Sequence, residues 1–194
     1  MSTIPGYTHG TAAVARSPIT VADFGPMCAA ALFGDDDVAA LRRSLPVVSA
    51  HADAILDVWY GFVGSSPALV ATFAPSGGAP DSAYLTAVRR RFRQWILDTA
   101  GANYDQPWLD YQHEIGLRHH RIKKNATDAA HAAAIVPFRY LAPLVVPVTT
   151  TLKPFLARGG HDAAVVDQMH AAWVKSCLLQ ITLWSHPYVI AGDF

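Results

Sequence analysis

The chain has 194 residues, 52% of them apolar and 15% charged, and its 15 basic and 15 acidic side chains balance to a formal net charge of zero. This length suits a single domain, spanning 1–194, with a full core, and nothing in the balance suggests a nucleic-acid or acidic-substrate partner. So apolar a composition implies a large core, or apolar surface covered by a ligand or a partner subunit.

Residues 1–17 carry Gly and Pro without periodicity and read as an extended arm. Ser17-Pro18 reads as a helix start, serine capping free N–H groups and proline suiting the first turn. Asp35-Asp36-Asp37 reads as a second start, with acids at the positive end of the helix dipole. Ser44-Leu45-Pro46 predicts a separate helix to about Val63, with Ile55, Trp59, Phe62 and Val63 at helical spacing. SSP and PSGGAPD mark loops over 65–81. The next helix is expected over about Asp81–Ala100, burying Leu85, Val88, Phe92, Trp95 and Ile96 and turning Arg89, Arg90 and Arg93 to water. Gln106-Pro107 opens a helix through about Lys123. A further helix covers about Pro137–Ala157, interrupted by Pro143 and Pro147. The last covers about Ala163–Ser185 and stops before His186-Pro187. With no alternating strand, seven or eight helices make an all-α protein.

Cys28 and Cys177 stand far apart in no metal spacing, which fits a reduced, cytoplasmic setting. MSTIPGYTHG lacks the basic and apolar segments of a signal peptide. Proline breaks the apolar run LAPLVVPVTTTL, so no membrane span is expected.

The stretch GLRHHRIKK (116–124) sets two histidines side by side. Trp108, Tyr111 or Gln112, Ile115, His119 and Ile122 recur at steps of three and four and form one apolar stripe. His119 lies on it; His120, ~100° round the helix, falls with Gly116 and His113. A lone histidine on an apolar face is more often a core residue bonded to a carbonyl than a ligand. No third ligand has zinc spacing. A single inward histidine does suffice for haem, because the porphyrin supplies four ligands. In Val58-Trp59-Tyr60-Gly61-Phe62, the two polar-tipped aromatics are either ordinary packing or donors aimed into a pocket. Gly61 is either a close helix contact or merely tolerated. Phe73 and Phe92 are residues more often core than cofactor contacts. The run at 89–93 is a solvated face from which an arginine, Arg91, could reach a haem propionate. Lys123-Lys124 reads as charge at the negative end of the helix. Asp98, Asp110 and Glu114 form no acid/base dyad, and no phosphate loop or nucleophile elbow is present.

Segments along nearly the whole chain carry a resemblance: IPGY (4–7), SPIT (17–20), ILDVWYGFVGSSP (55–67), YLTAVRRRFRQWILDT (84–99), YDQPWLDYQHEIGLRHHRIKKN (104–125), RYL (139–141), KPFLAR (153–158) and WSHPY (184–188). In this order and spacing the chain resembles a protoglobin, the single-domain relative of the globin-coupled sensors. The resemblance implies a globin fold, a 3-on-3 helical sandwich, with an extra N-terminal helix and arm. It implies haem b held by His119, and a distal side of Trp59, Tyr60 and Phe92 with Phe73 against the haem. Val88 stands where many globins have the distal histidine. Leu85, Tyr111, Leu144 and Val148 complete the implied contacts. A deeply buried haem, access by tunnels and a homodimer through the last two long helices are also implied. The sequence departs from relatives at Leu144, where they carry an aromatic residue, so the pocket should be wider there or changed in shape. Pro143 adds a second proline to that helix, and AAHAAAIVPF replaces a more loop-like segment.

The function so implied is reversible binding of O2, CO or NO at ferrous iron, for gas sensing or scavenging. The chain ends soon after its last helix, so no output domain is expected. A haem enzyme acting on peroxide, nitrogen oxides or artificial carbene donors is one alternative; a non-haem globin-like interaction module is another.

Overall fold

The computed structural model describes residues 4–194, all of the regular structure being helical. The first three residues of the expected arm lie outside the described residues. The rest of the arm is not extended but a turn-rich strap laid along two helices. Its chain reverses at Gly6 (φ 73°), where a Cβ would strike the Arg91 guanidinium and Thr127 at 2.7 Å. Backbone oxygens of Pro5 and Gly6 accept from Arg91 (3.0 Å) and Arg118 (2.6 Å).

Helix α1 spans Val21–Ala30 and starts later than Ser17-Pro18 suggests. Thr20 and Asp23 form a reciprocal capping box, which satisfies two free donors at once. The Ser17 amide instead donates to Asp110 (2.8 Å), and its hydroxyl accepts from the Ile19 amide. Helix α2 runs unbroken over Asp35–Gly64, through Pro46, where two helices were expected. An interior proline costs ~3 kcal/mol. One buried stripe continues across it, through Leu41, Ser44, Val48, Ala52, Ile55, Leu56, Trp59 and Val63. At ~1.5–3 kcal/mol per large buried side chain, that stripe outweighs the proline.

The expected loop at 65–81 contains a short helix α3, Pro67–Val70, and a 3-10 turn, Ala71–Phe73, which delivers Phe73 to the interior. Helix α4, Ser82–Gly101, is capped by Asp81, whose carboxylate accepts from the amides of Ala83 and Tyr84. Helix α5, Gln106–His119, is capped by Asp105 and ends four residues before the expected Lys123. The His120 backbone turns extended (φ −92°, ψ 159°), and the Val136 amide takes the His119 carbonyl at 2.8 Å. Ile122, expected on the buried stripe, is therefore 58% exposed.

Helices α6, Phe138–Leu141, and α7, Val145–Leu156, are the expected interrupted helix. Its break falls at Pro143; Pro147 lies in the first turn of α7, where a missing N–H costs little. The stretch Phe138–Gly159 is long and apolar enough to span a membrane by length and composition, but α7 packs on α2 and α8 as a sandwich helix. Helix α8, Ala163–Ser185, carries Trp173 and Trp184 into the core and gives way to a 3-10 turn at His186–Tyr188, as expected.

Candidate functional site

Helices α2, α4, α5, α7 and α8, with the α3 corner, line a largely apolar cavity of about 230 Å³. Of the residues singled out from sequence, Trp59, Tyr60, Phe73, Val88 and Arg91 line it, as do Phe92, Tyr111, His119, Leu144 and Val148. Leu85 does not; its neighbour Tyr84 takes that place. The inner stripe of α4 runs through Tyr84, Val88, Arg91, Phe92 and Trp95, and residue 85 lies ~100° round from 84.

His119 is the last residue of α5. Its Nδ1 lies 2.9 Å from the Ile115 carbonyl. A carbonyl only accepts, so Nδ1 carries the proton and Nε2 presents a bare lone pair, the tautomer that suits a metal ligand. The ring stacks on Trp184, centroids 5.2 Å apart and planes within 13°. Burial lowers its pKa to about 4, so the ring is neutral near pH 7. His120 does not line the cavity; its ring meets Tyr188 edge-on at 5.0 Å. Gly116 sets the spacing of this wall, because a Cβ there would lie 3.0 Å from both Cα and the carbonyl oxygen of Trp184. By contrast, a Cβ on Gly61 would meet nothing within 4 Å, so Gly61 is a tolerated small residue.

Trp59 and Tyr60 stand edge to face, centroids 5.0 Å apart, with Phe92 at 4.8 Å from Trp59. Trp59 Nε1 and Tyr60 Oη are buried with no hydrogen-bond partner among the described residues. A buried donor left unpaired costs ~1–3 kcal/mol, so both call for an acceptor inside the cavity. Burial raises the Tyr60 pKa well above the usual phenol value, which keeps the hydroxyl a donor.

The charged rim differs from the sequence-based expectation. Arg91 is not a free cation. Asp128 grips both its Nη atoms, each side chain being 13% exposed, and the Pro5 carbonyl takes a further bond. Lys124 is not at a helix terminus in water. It is 7% exposed and lines the cavity, donating to the Thr72 carbonyl (3.1 Å) and the Tyr84 hydroxyl (2.8 Å), with no carboxylate bonded to it among the described residues. Lys123 does pair, sharing Glu114 with Arg118 at 2.7 and 2.9 Å. Two cations on one carboxylate leave one positive charge in excess; Lys124 leaves another. Haem carries two propionates. The apolar slot, the bare His119 Nε2, the orphaned donors and this double excess of charge all fit that group. Among the described residues no three His, Cys, Asp or Glu side chains converge to hold a metal unaided.

Tyr84, Gly116, Lys124 and Trp184 were not singled out from sequence as site residues. Trp184 lies within the motif WSHPY, but its stacking on His119 is a tertiary fact. Lys124 enters the cavity only because α5 stops at His119.

A comparison with curated proteins finds no match. The family model Protoglobin matches residues 22–193. Matched over nearly its whole length, the chain belongs to the protoglobin family, with an all-α globin fold and the family's character of gas-binding haem proteins.

Proposed function

We propose that the chain holds haem b through His119 Nε2 and reversibly binds O2, CO or NO at ferrous iron, as a gas sensor or scavenger. The observation that carries this is one cavity combining a bare, oriented imidazole nitrogen with two buried, unpartnered donors, Trp59 Nε1 and Tyr60 Oη. Haem, when bound, would supply an iron that His119 Nε2 would hold and to which a diatomic gas could bind. The Ile115 carbonyl fixes the His119 tautomer and Trp184 fixes the plane of the ring. Tyr60 Oη, or Trp59 Nε1, donates to a polar diatomic in the pocket, while Phe73, Phe92, Val88 and Leu144 exclude water. Lys124 and Arg118, both on the cavity wall, would hold the propionates.

Val146 and Leu178, 66% and 48% exposed on α7 and α8, support a homodimer through those helices. The two free cysteines, one half-buried and one buried, support a cytoplasmic setting. The test is an absorption spectrum of reduced protein, with and without CO, for the parent, His119→Ala and His120→Ala. A CO-shifted haem band lost only in His119→Ala is expected. A parent with no haem band after reconstitution would overturn the proposal.

A further inference from the structure

The motif Ile4-Pro5-Gly6-Tyr7 holds no part of the pocket, yet it sets a phenol against the cavity wall. Tyr111 lines the cavity and is 4% exposed. Tyr7, partly exposed, stands behind it edge-on, ring centroids 5.2 Å apart. Tyr7 Oη donates to Asp98 Oδ2 at 2.8 Å, and Gln94 Nε2 holds the other carboxylate oxygen at 2.8 Å. Cavity, Tyr111, Tyr7 and a carboxylate thus stand in sequence towards solvent. We infer that Tyr7 and Tyr111 form a redox-active pair that passes single electrons between the haem pocket and a reductant at the surface, with Asp98 taking the phenolic proton of Tyr7. This rests on the haem proposal above; the oxidant it serves is a hydroperoxide.

A phenol that loses one electron becomes a strong acid, so its proton must leave with the electron. A carboxylate already hydrogen-bonded to it accepts that proton without rearrangement. A second closely spaced aromatic series that starts at the cavity, at His119, lacks this feature. His119, Trp184, Trp95 and Trp173 follow one another at 5.2, 6.1 and 6.4 Å. Their indole N–H groups donate to the neutral Gln112, Gln180 and Ser44. The series ends at Trp173, 1% exposed. It has neither a proton acceptor nor an exit.

Reducing hydrogen peroxide to two waters takes two electrons and two protons. In each of two passes, Tyr111 gives one electron and, through the cavity it lines, its phenolic proton to the peroxide oxygens; Tyr7 refills it with an electron while its own proton moves to Asp98 Oδ2, and Tyr111 regains a proton from solvent by way of the cavity. A one-electron donor at the surface restores Tyr7, and Asp98 returns the proton. The donor therefore supplies both electrons and solvent both protons.

The test treats haem-loaded protein, its CO band recorded first, with one equivalent of hydrogen peroxide and a nitroso spin trap, then maps the adducts by peptide mass spectrometry. Tyr7 is expected to carry the dominant adduct. Asp98→Asn keeps an acceptor oxygen beside Tyr7 but removes the base; it is expected to cut the Tyr7 adduct roughly tenfold with the haem spectrum unchanged. Tyr111→Phe, which leaves Tyr7 and Asp98 in place, is expected to cut it too. Adduct on Tyr140 or Tyr188 at the level of Tyr7, or a Tyr7 adduct unaffected by Asp98→Asn, would overturn the pair. A parent without a CO-sensitive band overturns the haem proposal and the pair with it, and that result shows before peroxide is added.

Discussion

Replacing Lys124 by methionine in the haem-free protein keeps the length of the side chain and removes its charge. In the parent, Lys124 is 7% exposed and its ammonium is bonded only to neutral oxygens. Burial pulls its pKa from 10.5 down to about 8, Asp128 offsetting only part of the effect. At ~1.4 kcal/mol for each tenfold change in proton affinity, the buried charge costs the folded state ~3 kcal/mol as an upper figure. Below pH 8 both states hold the proton and the cost is fully present. Between about pH 8 and 10.5 the unfolded chain binds a proton that the folded chain does not, so stability rises with pH. Above that window both states are neutral and the cost is gone. Denaturant unfolding of parent and Lys124→Met from pH 7 to 11 isolates this one group, because other titrations cancel in the difference. The variant is expected to lead by up to ~3 kcal/mol at pH 7 and to lose that lead as the pH approaches 10.5. Loading haem should narrow the gap at pH 7, since a propionate beside the ammonium offsets its burial. A gap that stays constant across the range would refute the placement of Lys124 as an uncompensated buried cation.

Tyr60→Phe removes a donor worth ~1 kcal/mol or more in a dry site, so O2 should dissociate roughly fivefold faster or more by flash photolysis; an unchanged rate would leave Trp59 as the donor. Gly116→Ala and Gly61→Ala are the same change at two helix positions. At Gly61, with open space, it should stabilise by ~0.5–1 kcal/mol. At Gly116 the Trp184 backbone cannot yield, so overpacking of ~1–3 kcal/mol should cancel or exceed that gain and disturb the CO band; equal effects at both sites in thermal melts would contradict the contact. Asp128→Asn leaves Arg91 buried without its counter-charge and should destabilise by ~3 kcal/mol, measured by denaturant unfolding; a loss below ~0.5 kcal/mol, the size of a surface substitution, would mean that the pair is effectively solvated.

The parts of this molecule legible in sequence are those where one periodicity decides. The apolar steps of α4 and α5 place Val88, Phe92, Tyr111 and His119 on inner faces whatever packs against them. The helix ends were less legible, because local signals compete there. Ser17-Pro18 and Thr20 both offer a start, and the reciprocal bond of Asp23 decides in favour of Thr20. Pro46 reads as a break until the buried stripe on both sides of it is weighed. The end of α5 depends on the Val136 amide reaching the His119 carbonyl from 17 residues downstream in sequence, and no local rule contains that contact.

The misplaced charges follow from that one helix end. Were α5 to continue to residue 123, Lys123 and Lys124 would sit in its last turn and face water, as the dipole argument supposed. Because the backbone turns extended at His120, the next residues double back, and Lys124 arrives beside Tyr84 and Thr72 inside the cavity. Ile122, freed from the stripe, goes to the surface instead. The same turn leaves His119 as the terminal helical residue, with its side chain still directed by Ile115 one turn earlier. The residue proposed to hold iron and the cation proposed to hold a propionate thus occupy their places through a single backbone event. A substitution that extends α5, such as His120→Ala with its higher helix propensity, therefore acts on both. If it withdraws Lys124 while His119 keeps its bond to Ile115, haem should bind with a normal CO band but reduced affinity. If affinity is unchanged, the rim charge is held by the 121–136 segment itself rather than by the helix end.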